Sequence, residues 1–396
     1  MHFAFSSMPA HGHINPTLPL VRELVRRGHR VSYAVNEGFH PAVASAGATP
    51  LSLPGEMPGP GAMPDPSSGF DPAFMGRMLD FFVGMTRDGV AALEEHLAAD
   101  RPDAVCYDSM DMVGRFTAER LGLPGVALYA SHASHENLSL RDLLPGDSAG
   151  NPVTMVLPLL QQSSERLAAE LGVTPVSPME GAPAPLNIVF IPRDFQVAGD
   201  TFDERFHFVG PSIGARAGDD GWQAPEPGER LLFISLGTGF NNQPGFFGAC
   251  LEAFGDGAWR VAMAIGDRVD AAELGRAPDN FDIRPYFPQP AVLRRADVFL
   301  THAGMNSTME SLYFGVPMVA VPQMAEQEAN ARRSEELGFG LRLRMADISA
   351  DLLRRSVDGV HADQWIRGNV TEMGKKLRAT DGAAAAADAL EAHLAD

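Results

Sequence analysis

Cysteine is almost missing from this chain: Cys106 and Cys250 are the only two in 396 residues. Two thiols cannot staple a disulfide framework, and neither sits at metal-ligand spacing from a partner, so a reducing compartment, the cytoplasm, is expected. Positive charge is scarce as well. With 31 Lys and Arg against 50 Asp and Glu the net charge is −19, and without a basic cluster that balance argues against nucleic acid or anionic lipid as partners. No apolar run approaches about 18 residues, so no segment is expected to span a membrane. Met1 to Met8 has no basic start and reads as a first strand, not a signal peptide. No Gly-x-Gly-x-x-Gly follows that strand, which argues against a Rossmann dehydrogenase.

What the chain does have is 45% apolar residues punctuated by Gly and Pro, the composition of a globular α/β protein. Its length is too great for one ordinary core, so two domains are expected. Phe3 to Ser7 reads as a strand, Asn15-Pro16 as the cap and first position of a helix, and Leu20, Val21, Leu24 and Val25 as its apolar face. Strands follow at Val31 to Val35, Ala104 to Tyr107 and Val126 to Tyr129, with a helix at Met112 to Leu121 ended by Gly122. A second series runs through Leu231 to Leu236, Val261 to Ile265, Ile283 to Phe287, Val298 to Leu300 and Met318 to Val321. This alternation implies two doubly wound domains with parallel sheets, 1–210 and 229–396, joined by a Gly-, Pro- and Asp-rich linker at 211–228. Their strand ends would face each other across a cleft, where open α/β sheets bind ligands.

The run Thr301 to Glu310 sits where one of those strands meets a helix. Small residues allow close approach, His302 would point into the cleft, and the amides of Gly304 to Ser307 would offer a diphosphate the positive end of a helix. Asn306, Ser307 and Thr308 could add hydrogen bonds, and Glu310, one turn on, suits the vicinal hydroxyls of a ribose. Ser235 to Gly239, with Gly237 and Thr238, is a second small-residue turn at a strand end. Either turn alone occurs in many α/β domains simply because tight turns need Gly. Pro322 to Gln327 adds a third feature: Glu326 and Gln327 open a helix with both acceptors and donors for sugar hydroxyls.

Taken with Tyr286-Phe287-Pro288-Gln289 and Gly12-His13-Ile14-Asn15-Pro16, these motifs resemble a nucleotide-sugar glycosyltransferase of family 1, in particular the bacterial macrolide glucosyltransferases. The resemblance covers most of the chain and is strongest from Leu231 to Gly340. It implies a GT-B fold and inverting transfer without a metal. It further implies that Tyr286, where Trp is common, stacks on the uracil, Phe287 presents backbone groups to the base edge, and Gln289 lies near the ribose. On the same basis His302 contacts the diphosphate, Glu310 the ribose, and Glu326 with Gln327 the hexose, the Glu-Gln pair favouring glucose. No Asp-x-Asp triplet is present to hold a divalent ion on a diphosphate. The expected co-substrate is therefore a UDP-sugar with no metal, and the acceptor a hydrophobic hydroxylated molecule such as a macrolide, a polyketide or a phenol. Alternatives are a dTDP-deoxysugar transferase and a non-catalytic activator partner, and the chain is expected to act as a monomer or homodimer.

Inverting transfer to a hydroxyl needs a base. His13 follows the first strand, close to a helix start that disfavours imidazolium, and Asp108 ends the neighbouring strand, where it would fix the tautomer. The family motif favours His13 over His11, and Asp111 is a weaker substitute for Asp108. Pro50 to Pro72, with seven prolines, reads as a long loop, and His132 to Leu160 as a recognition loop before a helix at Gln162 to Leu171. Met78, Phe81, Phe82 and Met85, with Phe74, recur at helical spacing and read as helix core. Met57 and Met63, between prolines, fit a lid over an apolar acceptor pocket better, and Met75, Met110, Met112 and Phe70 add to the same apolar set. The tail Gly382 to Leu394 is helical by propensity. One side is polar enough to need no partner; packing back on the N-terminal domain is the alternative.

Overall fold

The computed structural model describes residues 1–55, 72–143, 152–176, 182–213, 222–226, 228–239 and 241–395. The chain divides into two compact units, Met1–Ser212 with Asp381–Asp396, and Ile213–Thr380. Most of the expected linker, 214–221 and 227, lies outside the described residues, as do Met57, Met63, Phe70 and the side chains of Phe74 and Met75.

In the first unit the strands are β1 (His2–Ser6), β2 (Arg30–Val35), β3 (Thr49–Ser52), β4 (Ala104–Asp108), β5 (Gly125–Tyr129), β6 (Leu186–Val189) and β7 (Phe206–Phe208). They form one sheet in the order β3-β2-β1-β4-β5-β6-β7, and every pairing is parallel. β1 and β4 are buried along their whole length. A strand covered on both faces has no polar side to alternate, which is why His2-Phe3-Ala4-Phe5-Ser6 and Ala104-Val105-Cys106-Tyr107 read as unbroken runs. The connecting helices are α1 (His11–Ile14), α2 (Leu18–Arg26), α3 (His40–Ser45), α4 (Pro72–Ala99), α5 (Met112–Leu121), α6 (Leu140–Leu143) and α7 (Pro152–Leu171).

In the second unit β8 (Leu231–Ser235), β9 (Arg260–Ala264), β10 (Phe281–Arg284), β11 (Val298–Thr301), β12 (Met318–Ala320) and β13 (Gly340–Arg342) form a parallel sheet in the order β10-β9-β8-β11-β12-β13. Helices α8 (Pro244–Phe254), α9 (Gln289–Leu293), α10 (Met305–Phe314), α11 (Ala325–Glu336), α12 (Ala350–Ala362) and α13 (Gln364–Arg378) belong to it, and α14 (Gly382–Ala395) returns to the first unit. Among the described residues no helix is long and apolar enough to cross a membrane.

Each sheet reverses its winding once. In the first unit successive strands step outward in one direction from β1 to β3 and in the other from β4 to β7, so the switch lies between β1 and β4. In the second it lies between β8 and β11. The crevice at the carboxyl ends of such a strand pair is where doubly wound sheets receive ligands.

Several expectations need correction. The first helix does not start at Asn15-Pro16: the chain is already helical from His11 to Ile14, Asn15 closes that turn in helical geometry, and α2 starts at Leu18. β10 ends at Arg284, and Tyr286 and Phe287 lie beyond the strand. α7 begins at Pro152 rather than Gln162. The apolar spacing in α4 marks a helix but not its core: Leu79, Val90, Leu93 and Leu97 are buried, whereas Phe81 is 37% exposed and Met78, Phe82 and Met85 are half-buried.

The tail does take a partner. Ala386, Ala387, Ala389 and Leu390 of α14 are buried in the cluster that holds Leu20, Val21 and Leu24 of α2. Around this seam Arg27 Nη1 donates to Asp388 Oδ1 (2.6 Å) and Glu391 Oε2 (2.7 Å). Alanine on one helix lets the other approach closely, and the loss of apolar surface, more than the exposed ion pairs, holds the seam.

Candidate active site

At the first switch point, α1 follows β1 directly and puts His13 beside the end of β4. His13 Nδ1 is 2.7 Å from Asp108 Oδ2, with the aspartate 1% and the imidazole 26% exposed. Asp108 Oδ1 accepts the Met110 N–H at 2.9 Å. An ionised carboxylate only accepts, so the shared proton belongs to Nδ1, and Nε2 is left as the ring's basic nitrogen. This is the geometry in which a carboxylate orients a neutral imidazole and stabilises the cation it becomes.

The two alternatives at this edge have other work. His11 is exposed and meets Phe39 edge-on, with ring centroids 5.0 Å apart. Asp111 caps α5, accepting from the Val113 N–H (3.0 Å) and the Gly114 N–H (3.3 Å), and accepts the Ser6 hydroxyl at 2.5 Å. A side-chain cap of this kind stabilises a helix by about 1 kcal/mol. Burial, opposed by those hydrogen bonds, pushes the Asp111 carboxyl up to about 6.

The second switch point gathers the residues expected to face a nucleotide sugar. Gly237 turns the chain after β8 with φ +73, held by the Gly237 N–H to Ser235 Oγ (3.2 Å). After β11 the imidazole of His302 lies against two glycines: a Cβ on Gly237 would come within 2.6 Å of the ring, and one on Gly304 within 2.5 Å of Nε2. Both glycines are therefore required by the ring itself, in addition to any turn geometry. Burial pushes the His302 imidazole down to about 4, with a backbone hydrogen bond at Ser235 acting the other way. The ring is consequently neutral near neutral pH.

Gly304 is the N-cap of α10, so the amides of Met305, Asn306 and Ser307 open that helix. Gln289 Nε2 donates to Ser307 Oγ at 3.2 Å and to Glu310 Oε2 at 2.8 Å, which brings three of the expected residues together. Thr238 and Tyr286 are exposed; the Tyr286 hydroxyl donates to Asp267 Oδ2 at 2.6 Å and leaves the ring 52% open. Phe287 packs edge-on to Phe233 at 6.0 Å, with the Arg284 guanidinium 5.1 Å from its ring centre. Of the Glu-Gln pair, Gln327 is nearly buried and accepts the Gln323 N–H with Oε1 (2.9 Å), while Glu326 is half-buried.

Two residues given no role by the sequence complete this edge. Ala303 has φ +62, a left-handed conformation that costs a non-glycine residue about 1 kcal/mol or more. Asn330, fully buried, offsets it by donating to the Ala303 carbonyl at 3.0 Å and to Glu326 Oε1 at 2.8 Å. Its i+4 spacing from Glu326 was the one available sequence signal. Among the described residues no group of three or more His, Cys, Asp and Glu side chains is arranged to hold a metal. A shallow polar groove lined by Glu229, Asp256, Arg260, Arg276 and Asp279 lies at the opposite, amino-terminal edge of the sheet, remote from the switch point.

Residues 251–392 match the family described as Erythromycin biosynthesis protein CIII-like, C-terminal domain. Over 419 aligned residues the chain is 38% identical to the NDP-glycosyltransferase YjiC of Bacillus licheniformis, covering 100% of this chain and 98% of that one. It is 36% identical to the demethyllactenocin mycarosyltransferase of Streptomyces fradiae, covering 99% of this chain and 86% of the relative. Among solved structures the calicheamicin glycosyltransferase CalG4 superposes with a TM-score of 0.82 at 34% identity, over 100% of this chain and 98% of the other. The chain belongs to the family 1 glycosyltransferases. As such a glycosyltransferase it has the GT-B fold, with its two parallel-sheet α/β units of seven and six strands. The family's need for a nucleotide-sugar donor agrees with a helix N-terminus, a neutral imidazole and two glycines packed against it at the ends of the neighbouring strands β8 and β11.

Proposed function

We propose that this glycosyltransferase transfers a hexose, glucose in preference, from a UDP-sugar to a hydroxyl of a hydrophobic small molecule, with inversion and without a metal. The observation that carries the reading is the 2.7 Å contact between His13 and buried Asp108 at the switch point of the first sheet. His13 Nε2 takes the acceptor proton as the alcohol oxygen attacks the anomeric carbon from the face opposite the leaving diphosphate. Asp108 keeps the proton on Nδ1 and stabilises the imidazolium that forms.

In the second unit, the amides at the start of α10 and the N–H of neutral His302 meet the charge that develops on the departing UDP. Glu310, steadied by Gln289, takes the ribose hydroxyls; Tyr286 offers a face to the base; Glu326 and Gln327 take the hexose. Gly237, Thr238 and Asn306 approach the diphosphate. The names of the relatives support a nucleotide-sugar donor, one being an NDP-glycosyltransferase and one a demethyllactenocin mycarosyltransferase.

That second relative is named a mycarosyltransferase, which favours a dTDP-deoxysugar as the second reading; Glu326 with Gln327, suited to a fully hydroxylated sugar, speaks for glucose. A non-catalytic activator would have no use for the dyad. The decisive experiment is a mass-spectrometric screen of macrolide, polyketide and phenolic acceptors against UDP-glucose, UDP-galactose and a dTDP-deoxysugar. A product mass of acceptor plus hexose with UDP-glucose is expected. Product only with the dTDP-sugar would replace the donor, and no product with any pair would remove the enzymatic reading.

A further inference from the structure

The segment that carries His13 is closed at both ends by one buried phenol. Tyr33, in the middle of β2, is 0% exposed, and its hydroxyl lies 2.9 Å from Ser7 Oγ and 2.7 Å from Thr17 Oγ1. Ser7 and Thr17 are themselves 2% and 1% exposed. Ser7 comes directly after β1, and Thr17 directly before α2. Between them lies α1, whose third residue is His13.

Counting protons fixes the direction of this chain. Thr17 Oγ1 spends its one hydrogen on the Ile14 carbonyl at 2.8 Å. It can then only accept from Tyr33, and the Tyr33 oxygen is left to accept from Ser7. The sequence is Ser7 O–H to Tyr33 O–H to Thr17 O–H to the carbonyl of Ile14, the residue next to His13. Hydrogen bonds aligned in this way polarise one another in a buried site. Burial raises the phenol above its ordinary pKa, so it keeps its proton and remains a donor across assay pH.

We propose that Tyr33 is a positioning residue for the catalytic base, its hydroxyl fixing both ends of the Ser7–Thr17 segment so that His13 stays on Asp108. The proposal rests on reading His13 as the base. Phenylalanine at this position would fill the same core volume beside Phe5, 5.5 Å away, and remove only the tie.

The test compares two acceptors that differ in their need for a base: an aliphatic alcohol, and a nitrophenol already ionised at mildly alkaline pH. In Tyr33→Phe, kcat for the alcohol should fall on the order of 10- to 100-fold, the cost of slight misplacement of a reacting group. The rate with the ionised nitrophenol and the affinity for UDP should be nearly unchanged. Thr17→Val should behave in the same way and Thr17→Ser should keep wild-type rates; this pair decides if Tyr33→Phe does not fold. An equal loss with both acceptors, or no loss with the alcohol, overturns the positioning role. His13→Ala run alongside separates the two ideas. If it loses alcohol transfer while Tyr33→Phe and Thr17→Val keep it, only the positioning role fails; if it keeps alcohol transfer, the base assignment fails and the positioning role with it.

Discussion

The side-chain amide of Gln289 reaches 2.8 Å to the carboxylate of Glu310, across from one element of the second unit to another. α9 and α10 are thereby tied at the residues assigned to the ribose. A hydrogen bond to a charged group is worth roughly 1.5–3 kcal/mol, so Glu310→Ala should weaken UDP binding by roughly one to two orders of magnitude. Gln289→Ala should weaken it less, since the carboxylate remains. Isothermal titration with UDP reads both, and wild-type affinity in Glu310→Ala would take that residue out of the ribose site.

His13→Ala should lower kcat on the order of 10²-fold or more for an unactivated alcohol, with UDP affinity unchanged because the residue belongs to the other unit. Asp108→Asn should also cost turnover, since an amide can donate to Nδ1 and turn the basic nitrogen inward. Steady-state kinetics together with UDP titration separates this outcome from global damage, in which both quantities would fall.

His302 and Gly304 form a coupled pair, because a Cβ on Gly304 would meet Nε2 at 2.5 Å. Gly304→Ala should lower the melting temperature and weaken UDP binding by displacing the ring. In a His302→Ala background the same change should cost little stability. Melting curves of the four proteins test the coupling, and equal losses in both backgrounds would contradict it.

Asp111 gives a pH signature. Its carboxyl titrates near 6 when folded, against 3.8 for the ordinary group. Between those values the native state holds a proton that the unfolded chain has released, so its contribution falls as pH rises from about 4 to about 6 and stays lost above. Asp111→Asn keeps a capping side chain without the charge. Its stability relative to wild type should therefore rise across that window, by about 3 kcal/mol at most. Denaturant melts at several pH values measure this, and a constant difference between the two proteins would refute it.

Chelation is expected to leave turnover intact, since the diphosphate is assigned to amide groups and a neutral imidazole. Assays with and without EDTA check this. Loss of activity restored by one particular divalent ion would contradict the assignment.

The parts of this molecule legible in the sequence were those in which local chemistry and tertiary setting agree. The helix Met112–Leu121 could be bounded because Asp111 caps it and Gly122 leaves it in the left-handed region. β1 and β4 stood out because burial on both faces leaves the stretches Phe3 to Phe5 and Ala104 to Tyr107 without polar alternation. β3, β6, β7 and β13 went unread: they are strands of four, four, three and three residues, too short for a clear periodicity, and β3, Thr49–Ser52, takes the first three residues of the stretch Pro50 to Pro72 that reads as a loop. Asn15-Pro16 misled because a capping pair says nothing about a helical turn just upstream. The candidate site residues could be named from their runs, Ala303 lying within one of them, whereas Tyr33 and Asn330 carry no motif, since their places depend on partners distant in sequence.

α14, which follows the whole second unit in sequence, completes the apolar interior of the first unit, whereas the second unit is one uninterrupted stretch, Ile213–Thr380. During synthesis the usual order, in which the amino-terminal portion matures first, is therefore reversed in its last step. The second unit has all its residues while the first still exposes the α2 groove. Leu390 and its alanine neighbours can seal it only after the whole of the second unit has been made, so a stop codon placed just before Asp381 would leave the earliest-made half unfinished.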